Sequence, residues 1–315
     1  MKKILLSMVC LVMVGMQSVK AQLAIAALHH EGNVTVFGED KIASAIEAAV
    51  AGDTVYVSEG TLTDLLVTKK IHIVGSGQGT VIWGNLTIDI PDGLASDGNA
   101  IKIENLNVSK SIQVMSSVNE LIIKKVRCNS FSCDEPVEIS YSIFDNFWVD
   151  NISLKCFHNA TITNSKIKMI DSGALDASMV SFINCNIYNS YVPRLASFYN
   201  SIVRMDTYME SGNGSNYGTY LENCIFIKHN HDYGKPILKN CWTIDNVLDD
   251  NVDCTLTDEQ LLNSGYIGTD NKVVGITGGD APYTLKLITP RVLEHNIVVD
   301  KENKKVNVTL TVGTE

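Results

Sequence analysis

Ile162-Thr163-Asn164-Ser165-Lys166-Ile167, Phe182-Ile183-Asn184-Cys185-Asn186-Ile187, Phe198-Tyr199-Asn200-Ser201-Ile202-Val203, Leu221-Glu222-Asn223-Cys224-Ile225-Phe226 and Leu238-Lys239-Asn240-Cys241-Trp242-Thr243 are five copies of one pattern. A large apolar residue precedes each Asn by two positions, a small residue follows it, and a β-branched or aromatic residue usually stands three after it. Ile103-Glu104-Asn105-Leu106-Asn107-Val108 is an earlier copy. The later Asn positions are 20, 16, 23 and 17 residues apart. A period in this range marks a stacked repeat rather than a globular domain. The uneven spacing means that turns absorb insertions while strands hold register. Asn suits a sharp corner between strands because it tolerates the left-handed backbone better than other non-glycine residues. Stacked at one height per rung, its amide can also bond to the rungs above and below. Asn164, Asn184, Asn200, Asn223 and Asn240 are therefore read as one turn ladder.

Short strand runs divided by Gly, Asn, Asp and Ser continue from Thr54 to about Leu248, without helical periodicity. Ile71–Val74, Val81–Trp83, Leu86–Ile88, Ile101–Ile103 and Leu121–Ile123 are examples, and nine or ten rungs are expected in all. Val34–Phe37 reads as a strand. Residues 40–51 read as a helix, capped by Asp40, with Ile42, Ile46, Ala49 and Val50 on its apolar face and Gly52 ending it. Such a helix would cover the open end of the stack. Beyond residue 248 the pattern changes. Thr257–Gln260 is a capping box, and Ile297–Val299 with Val306–Val312 reads as a hairpin around Asp300–Asn303. The expected fold is all-β: a right-handed parallel β-helix over 54–248, preceded by a strand and capping helix over 22–53 and followed by a C-terminal β-rich cap over 249–315.

Residues 1–21 read as a secretory signal peptide: Lys2 and Lys3, an apolar run from Ile4 to Gly15, and a Val19-Lys20-Ala21 cleavage site. The apolar run is too short to span a membrane. The expected address is the periplasm, the outer surface or the exterior. Cleavage would leave 22 basic and 35 acidic residues, a net charge of about −13. That charge argues against nucleic acid and anionic membranes as partners, since both need a basic footprint. It leaves calcium or a neutral glycan open. Seven cysteines would remain, an odd number that cannot fully pair within one chain. Cys185, Cys224 and Cys241 follow the repeating Asn and should point inward as small hydrophobes. Cys224 and Cys241 would stack about 4.8 Å apart, too far for a disulfide, and are expected free. Cys128 and Cys133 are the one locally plausible pair.

Three groups of residues carry candidate chemistry. Residues 188–220 hold six of the eleven tyrosines: Tyr188, Tyr191, Tyr199, Tyr208, Tyr217 and Tyr220. They surround a glycine-rich loop from Ser211 to Gly218. A tyrosine offers a sugar both a ring face and a hydroxyl, so Tyr188, Tyr191, Tyr208 and Tyr217 are the expected ligand-binding residues. Arg204, Asp206 and Glu210, with Arg194 one rung earlier, have the residue types of a lyase or a glycosidase but no recognisable spacing. The bland alternative is a set of solvated outer charges. His229-Asn230-His231-Asp232 places two alternate histidines on one face of a strand. His229 could serve a lyase, and His229, His231 and Asp232 a metal. Asp171 and Asp176 are weaker calcium candidates. His29 and His30 read as a flexible lead.

Gly52-Asp53-Thr54-Val55-Tyr56-Val57, then Gly60-Thr61 and Lys70-Ile71-His72-Ile73-Val74-Gly75, closely resembles the opening of right-handed parallel β-helix proteins of the pectin-lyase-like superfamily. The Asn-Cys-x-Ile copies look like that family's turn between its second and third sheets. The tail, from Gly268-Thr269-Asp270 to Pro282-Tyr283, resembles the end of uncharacterised secreted β-helix proteins of Gram-negative anaerobes. The resemblance implies the fold over residues 33–315 and a polysaccharide as partner. It transfers no catalytic residue. The galacturonan hydrolases of the superfamily carry a set of Asn-Thr-Asp, Asp-Asp, Gly-His-Gly and Arg-Ile-Lys motifs that this chain lacks as a set. The calcium-dependent lyases carry Arg-x-Pro, whereas here Pro193 precedes Arg194. The expectation is a monomeric exported protein that binds a polysaccharide or cell-surface polymer without cleaving it. The alternatives are a lyase or glycoside hydrolase with a non-standard site, and a surface scaffold for another protein.

Overall fold

A computed structural model describes residues 23–91, 93–95, 97–133, 136–171, 180–188, 196–205, 219–228, 237–243, 265–276, 291–300 and 305–313. The described residues coil into a parallel β-solenoid with, among them, one short helix. Its first side runs through ten parallel strands: Thr54–Val57, His72–Gly75, the starts of Ile101–Val114 and Leu121–Cys133, Ile143–Asp145, Thr161–Thr163, Ser181–Ile183, Ser197–Tyr199, Tyr220–Glu222 and Ile237–Lys239. A second side stacks Gly60–Leu62, Thr80–Ile82, the middles of the two long strands, Trp148–Ser153, Lys166–Asp171, Asn186–Ile187, Ile202–Met205, Ile225–Lys228 and Trp242–Thr243. A third side starts at Leu65–Val67 and Leu86–Ile88 and is described as far as Asp171. Ten strands stack on each of the first two sides, but the third is described only as far as Asp171, so about seven turns of the coil are shown, against the nine or ten rungs expected. Val81–Trp83 and Leu86–Ile88 are not rungs of their own. They are the second and third sides of the turn that His72–Gly75 opens.

The repeating frame explains the interior. The residues two before the Asn lie in register, Phe144 beside Ile162, then Phe182, Phe198 and Leu221, and these five are buried, whereas Leu238 in the last rung is exposed. Those three after it, Ile167, Ile187, Val203 and Phe226, form a second buried column. Phe182 and Phe198 stack face to face at 4.7 Å. The corner between the columns is left-handed throughout, with φ between 46° and 57° at Asn105, Lys125, Asn146, Asn164, Asn184, Asn200, Asn223 and Asn240. Asn184 Nδ2 donates to Asn164 Oδ1 at 3.4 Å and Asn240 Nδ2 to Asn223 Oδ1 at 2.6 Å. Just inside the corner, Ser165, Cys185, Ser201 and Cys224 are buried. The thiols of Cys185 and Cys224 donate to carbonyls of the rung before, Ile162 O and Phe198 O. Cys185, Cys224 and the half-buried Cys241 are all free.

The N-terminal end departs from expectation in three ways. His29 and His30, read as a flexible lead, end a strand, Ala26–His30, paired antiparallel both to Asn33–Phe37 and to Thr54–Val57. The helix spans Ile42–Ala48, shorter than 40–51. Lys41 is its N-cap residue without a side-chain cap, and Asp40 sits at φ 60°. Ala45 joins Ile42, Ile46 and Ala49 on the buried face, whereas Val50 is 51% exposed. The expected Cys128–Cys133 bridge is also corrected. Cys133 pairs with Cys156, with a Cα separation of 6.4 Å, and Cys128 is free. Both residues of the expected pair lie on one extended strand. There Cys128 faces the core of the second side, while Cys133 ends the third side next to the following rung. At the C-terminal end, Arg291–Asp300 and Lys305–Gly313 form an antiparallel hairpin. The expected helix at Thr257–Gln260 lies outside the described residues, as does Cys254.

Candidate functional site

Along the second side, alternate residues face in and out. Cys128, Val149, Ile167, Ile187 and Val203 face the core. The register brings Arg127, Trp148, Lys166 and Asn186 into one outward column. Asp150, Lys168, Tyr188 and Arg204, two positions further along their strands, form the next. Between these columns lies a cleft of about 410 Å³ lined by Arg127, Trp148, Asp150, Lys166, Lys168 and Tyr188, with Cys128 and Val149 as its floor. Burial pushes the Cys128 thiol up, so the floor is an inert hydrophobe.

Tyr188 is the hub of this cleft. The Arg204 guanidinium stacks on its ring at 4.1 Å, and the Lys166 ammonium lies 5.3 Å from its centroid and 5.9 Å from that of Trp148. Arg204 is only 3% exposed and donates through Nη1 to Asn186 Oδ1 at 2.8 Å. Asn186 Nδ2 in turn donates to the Tyr188 hydroxyl at 3.4 Å. The ring is thus fixed between two cations, a geometry worth roughly 0.5–2 kcal/mol per contact. The indole Nε1 of Trp148 is covered and has no partner among the described residues; a bound oxygen would relieve such an unmet donor. Three cations and one carboxylate, Asp150, line the cleft, and Arg204 backs it. On a chain with ten more acids than bases, this is a local reversal of charge.

Two of the sequence candidates, Tyr188 and Arg204, therefore meet. Arg204 is buried and stacked rather than a solvated outer charge. The tyrosine cluster divides: Tyr199 and Tyr220 lie 5.9 Å apart on the first side, away from Tyr188. There the Tyr220 hydroxyl donates to Glu222 Oε2 at 2.8 Å, and Lys239 Nζ lies 2.6 Å from Glu222 Oε1. Those two bonds, from Lys239 first and then Tyr220, hold the Glu222 carboxyl below its ordinary value. Tyr191, Tyr208, Tyr217, Arg194, Asp206, Glu210, His229, His231, Asp232 and Asp176 lie outside the described residues, and Asp171 ends a third-side strand. Among the described residues no group of three or more His, Cys, Asp or Glu could hold a metal ion. The sequence reading missed Arg127, Trp148, Asp150, Lys166 and Lys168. A signal for three of them was present. Arg127, Trp148 and Lys166 each stand two after the left-handed corner residue, the slot whose side chain points outward.

Further along, the same outward column turns apolar, at Ile202 and Ile225, and both are buried. The segment 265–276 lies over them. Gly275, at φ 90°, donates its N–H to Asn223 O at 2.7 Å, and a Cβ there would stand 2.8 Å from Ile225 Cδ1. Tyr266 packs on Trp242 at 4.0 Å, and Asp270 N donates to Asn240 Oδ1 at 2.9 Å. The C-terminal region thus straps the flank of the solenoid.

Fold and cleft together define the class: a parallel β-solenoid with a basic, aromatic lateral face. Beyond that class, the chain matches no family model, no curated protein and no solved structure. Among the described residues, no helix is long and apolar enough to cross a membrane.

Proposed function

We propose that this is an exported β-helix protein, akin to the pectin-lyase-like proteins, that binds a carboxylate-bearing polysaccharide without cleaving it. The carrying observation is the cleft itself, with Trp148 and Tyr188 as ring platforms among Arg127, Lys166, Lys168 and Arg204. Aromatic faces suit sugar rings, and a cationic lining on an acidic chain selects anionic ligands over the protein's own surface. Scaffolding of another protein has no comparable feature in its favour among the described residues. A glycosidase needs two carboxylates, and Asp150 is the one on the cleft lining. A lyase is the second reading, since flanking cations can stabilise a carboxylate dianion.

The test is a glycan array of acidic and neutral polymers, with and without calcium, followed by tryptophan fluorescence titration with polygalacturonate and alginate. Affinity for an acidic polymer that falls between low and high salt, with no change in polymer length, supports the reading. New unsaturated product ends would favour the lyase. Preference for neutral glucans, or no binding, would remove it.

A further inference from the structure

All three tryptophans of the chain, Trp83, Trp148 and Trp242, stand on the outer face of the second side. Trp242 is covered by Tyr266 and Trp148 lines the cleft. Trp83 has no such partner in the described structure and is 62% exposed. Its N–H continues the strand ladder, bonding to Leu62 O at 2.9 Å. The preceding residue Ile82 is buried and pairs with Val108, so Trp83 faces outward beside Ser109. The Ser109 hydroxyl donates to Ile82 O at 3.1 Å, and Asn129 Nδ2 donates to Ser109 O at 2.7 Å. The strip from Trp83 to the cleft is therefore Ser109, Asn129 and Asp150, with Asn107 and Arg127 alongside. It is a polar, hydroxyl- and amide-bearing track without a large aliphatic side chain.

Spacing gives the track a direction. Stacked strands lie about 4.8 Å apart. Trp83 is three rungs before Trp148, roughly 14 Å away, and Tyr188 lies two rungs further, roughly 10 Å more. Rings at these separations along the solenoid axis cannot share one sugar unit. They can serve successive units of one extended chain.

We infer that the binding face continues along the axis from the cleft to Trp83, whose indole is a distal platform for a long polysaccharide. This rests on the reading of the cleft as a glycan site. The charge is uneven along the track, with the cations at the Tyr188 end, so the carboxylates are read at the cleft and chain length at Trp83. The contribution of Trp83 appears only when the ligand is long enough to span both.

The experiment measures affinity for a size-graded oligogalacturonate series and a size-graded alginate series, for wild type and for Trp83→Ala, Trp148→Ala and Tyr141→Ala. Tyr141 is equally exposed, at 62%, and lies off the second side. Melting curves check that each variant is folded. The expected result is a gain of about tenfold in affinity between short and long oligomers, equivalent to roughly 1.4 kcal/mol. Trp83→Ala flattens that gain, Trp148→Ala weakens binding at every length, and Tyr141→Ala changes neither. A length gain that survives Trp83→Ala, or equal affinity at all lengths, overturns the inference while leaving the cleft reading intact. No binding of wild type at any length overturns the cleft reading, and the inference with it.

Discussion

Two halves of the second side share one backbone and differ only in what points outward. From Arg127 to Tyr188 the outward residues are charged, amide or aromatic, and a cleft stays open. From Ile202 to Trp242 the residues two past each corner, Ile202, Ile225 and Trp242, are apolar, and the segment 265–276 lies across them. The inward columns are apolar in both halves, so the core does not distinguish them. The difference lies in one slot, two residues past each left-handed corner. In a solenoid that slot is free of packing duty, and its content decides whether a flank is a binding surface or a seat for another part of the chain. The halves are also tied down differently, the open one by the Cys133–Cys156 bridge between adjacent rungs and the covered one by the strap.

Exchanging the character of the slot should break the comparison most visibly. Ile225→Asp places an unpaired charge under the strap and should cost on the order of 4 kcal/mol. Lys168→Asp, on the open half, should change stability by no more than about 0.5 kcal/mol while abolishing affinity for acidic polymers. Denaturant melts of the two variants check the contrast, and equal losses would erase it. Next in size is the staple of the open half. Replacing Cys133 and Cys156 together by Ala should cost about 3 kcal/mol, from the 23-residue separation and the loop-closure model. Gly275→Ala should then loosen the strap by about 2 kcal/mol, because φ is 90° and the new Cβ would stand 2.8 Å from Ile225 Cδ1. Hydrogen exchange at Ile225–Lys228 should rise in that variant and stay unchanged at Trp148–Ser153.

The smallest effect concerns the first coil, below both halves. His30 Nδ1 and Asp53 Oδ1 are 2.7 Å apart. The Asp53 bond raises the His30 pKa above its ordinary 6.5, against desolvation. Burial works to raise the Asp53 carboxyl, but the Val50 N–H and His30 together hold it below 3.8. The His30 contribution is full below pH 6.5 and fades as pH rises through its raised value. The Asp53 contribution is full above 3.8 and fades as pH falls through its lowered value. Amide exchange in Ala26–His30, corrected for intrinsic rate, should be slowest between those limits and faster above them. His30→Gln should remove the upper limb of that profile.

The architecture was legible because the repeat states its own constraint: every Asn of the frame sits at positive φ, and the apolar positions around it fall into register. Tyr188 and Arg204 were legible as residue types. Their contact was not, because it depends on a pairing between residues 16 apart in sequence that only the stacking of rungs brings together. Trp148 and Lys166 were overlooked for a related reason. Each looks like an isolated surface residue in the chain and becomes a cluster only when rungs are stacked. The cysteine pairing failed on the same ground, since Cys156 is remote in sequence from Cys133 and adjacent across the rungs.

Hydrogen-exchange footprinting of the protein with and without polygalacturonate tests the account most directly. The predicted result is protection confined to the second side, at Arg127–Asn129, Trp148–Asp150, Lys166–Lys168 and Asn186–Tyr188 and, where the polymer reaches the distal indole, at Ile82 and Trp83, with none at Ile225–Lys228 under the strap. Protection on the first side, at Lys102–Glu104 or Ile122–Lys124, with the second side unchanged would contradict it.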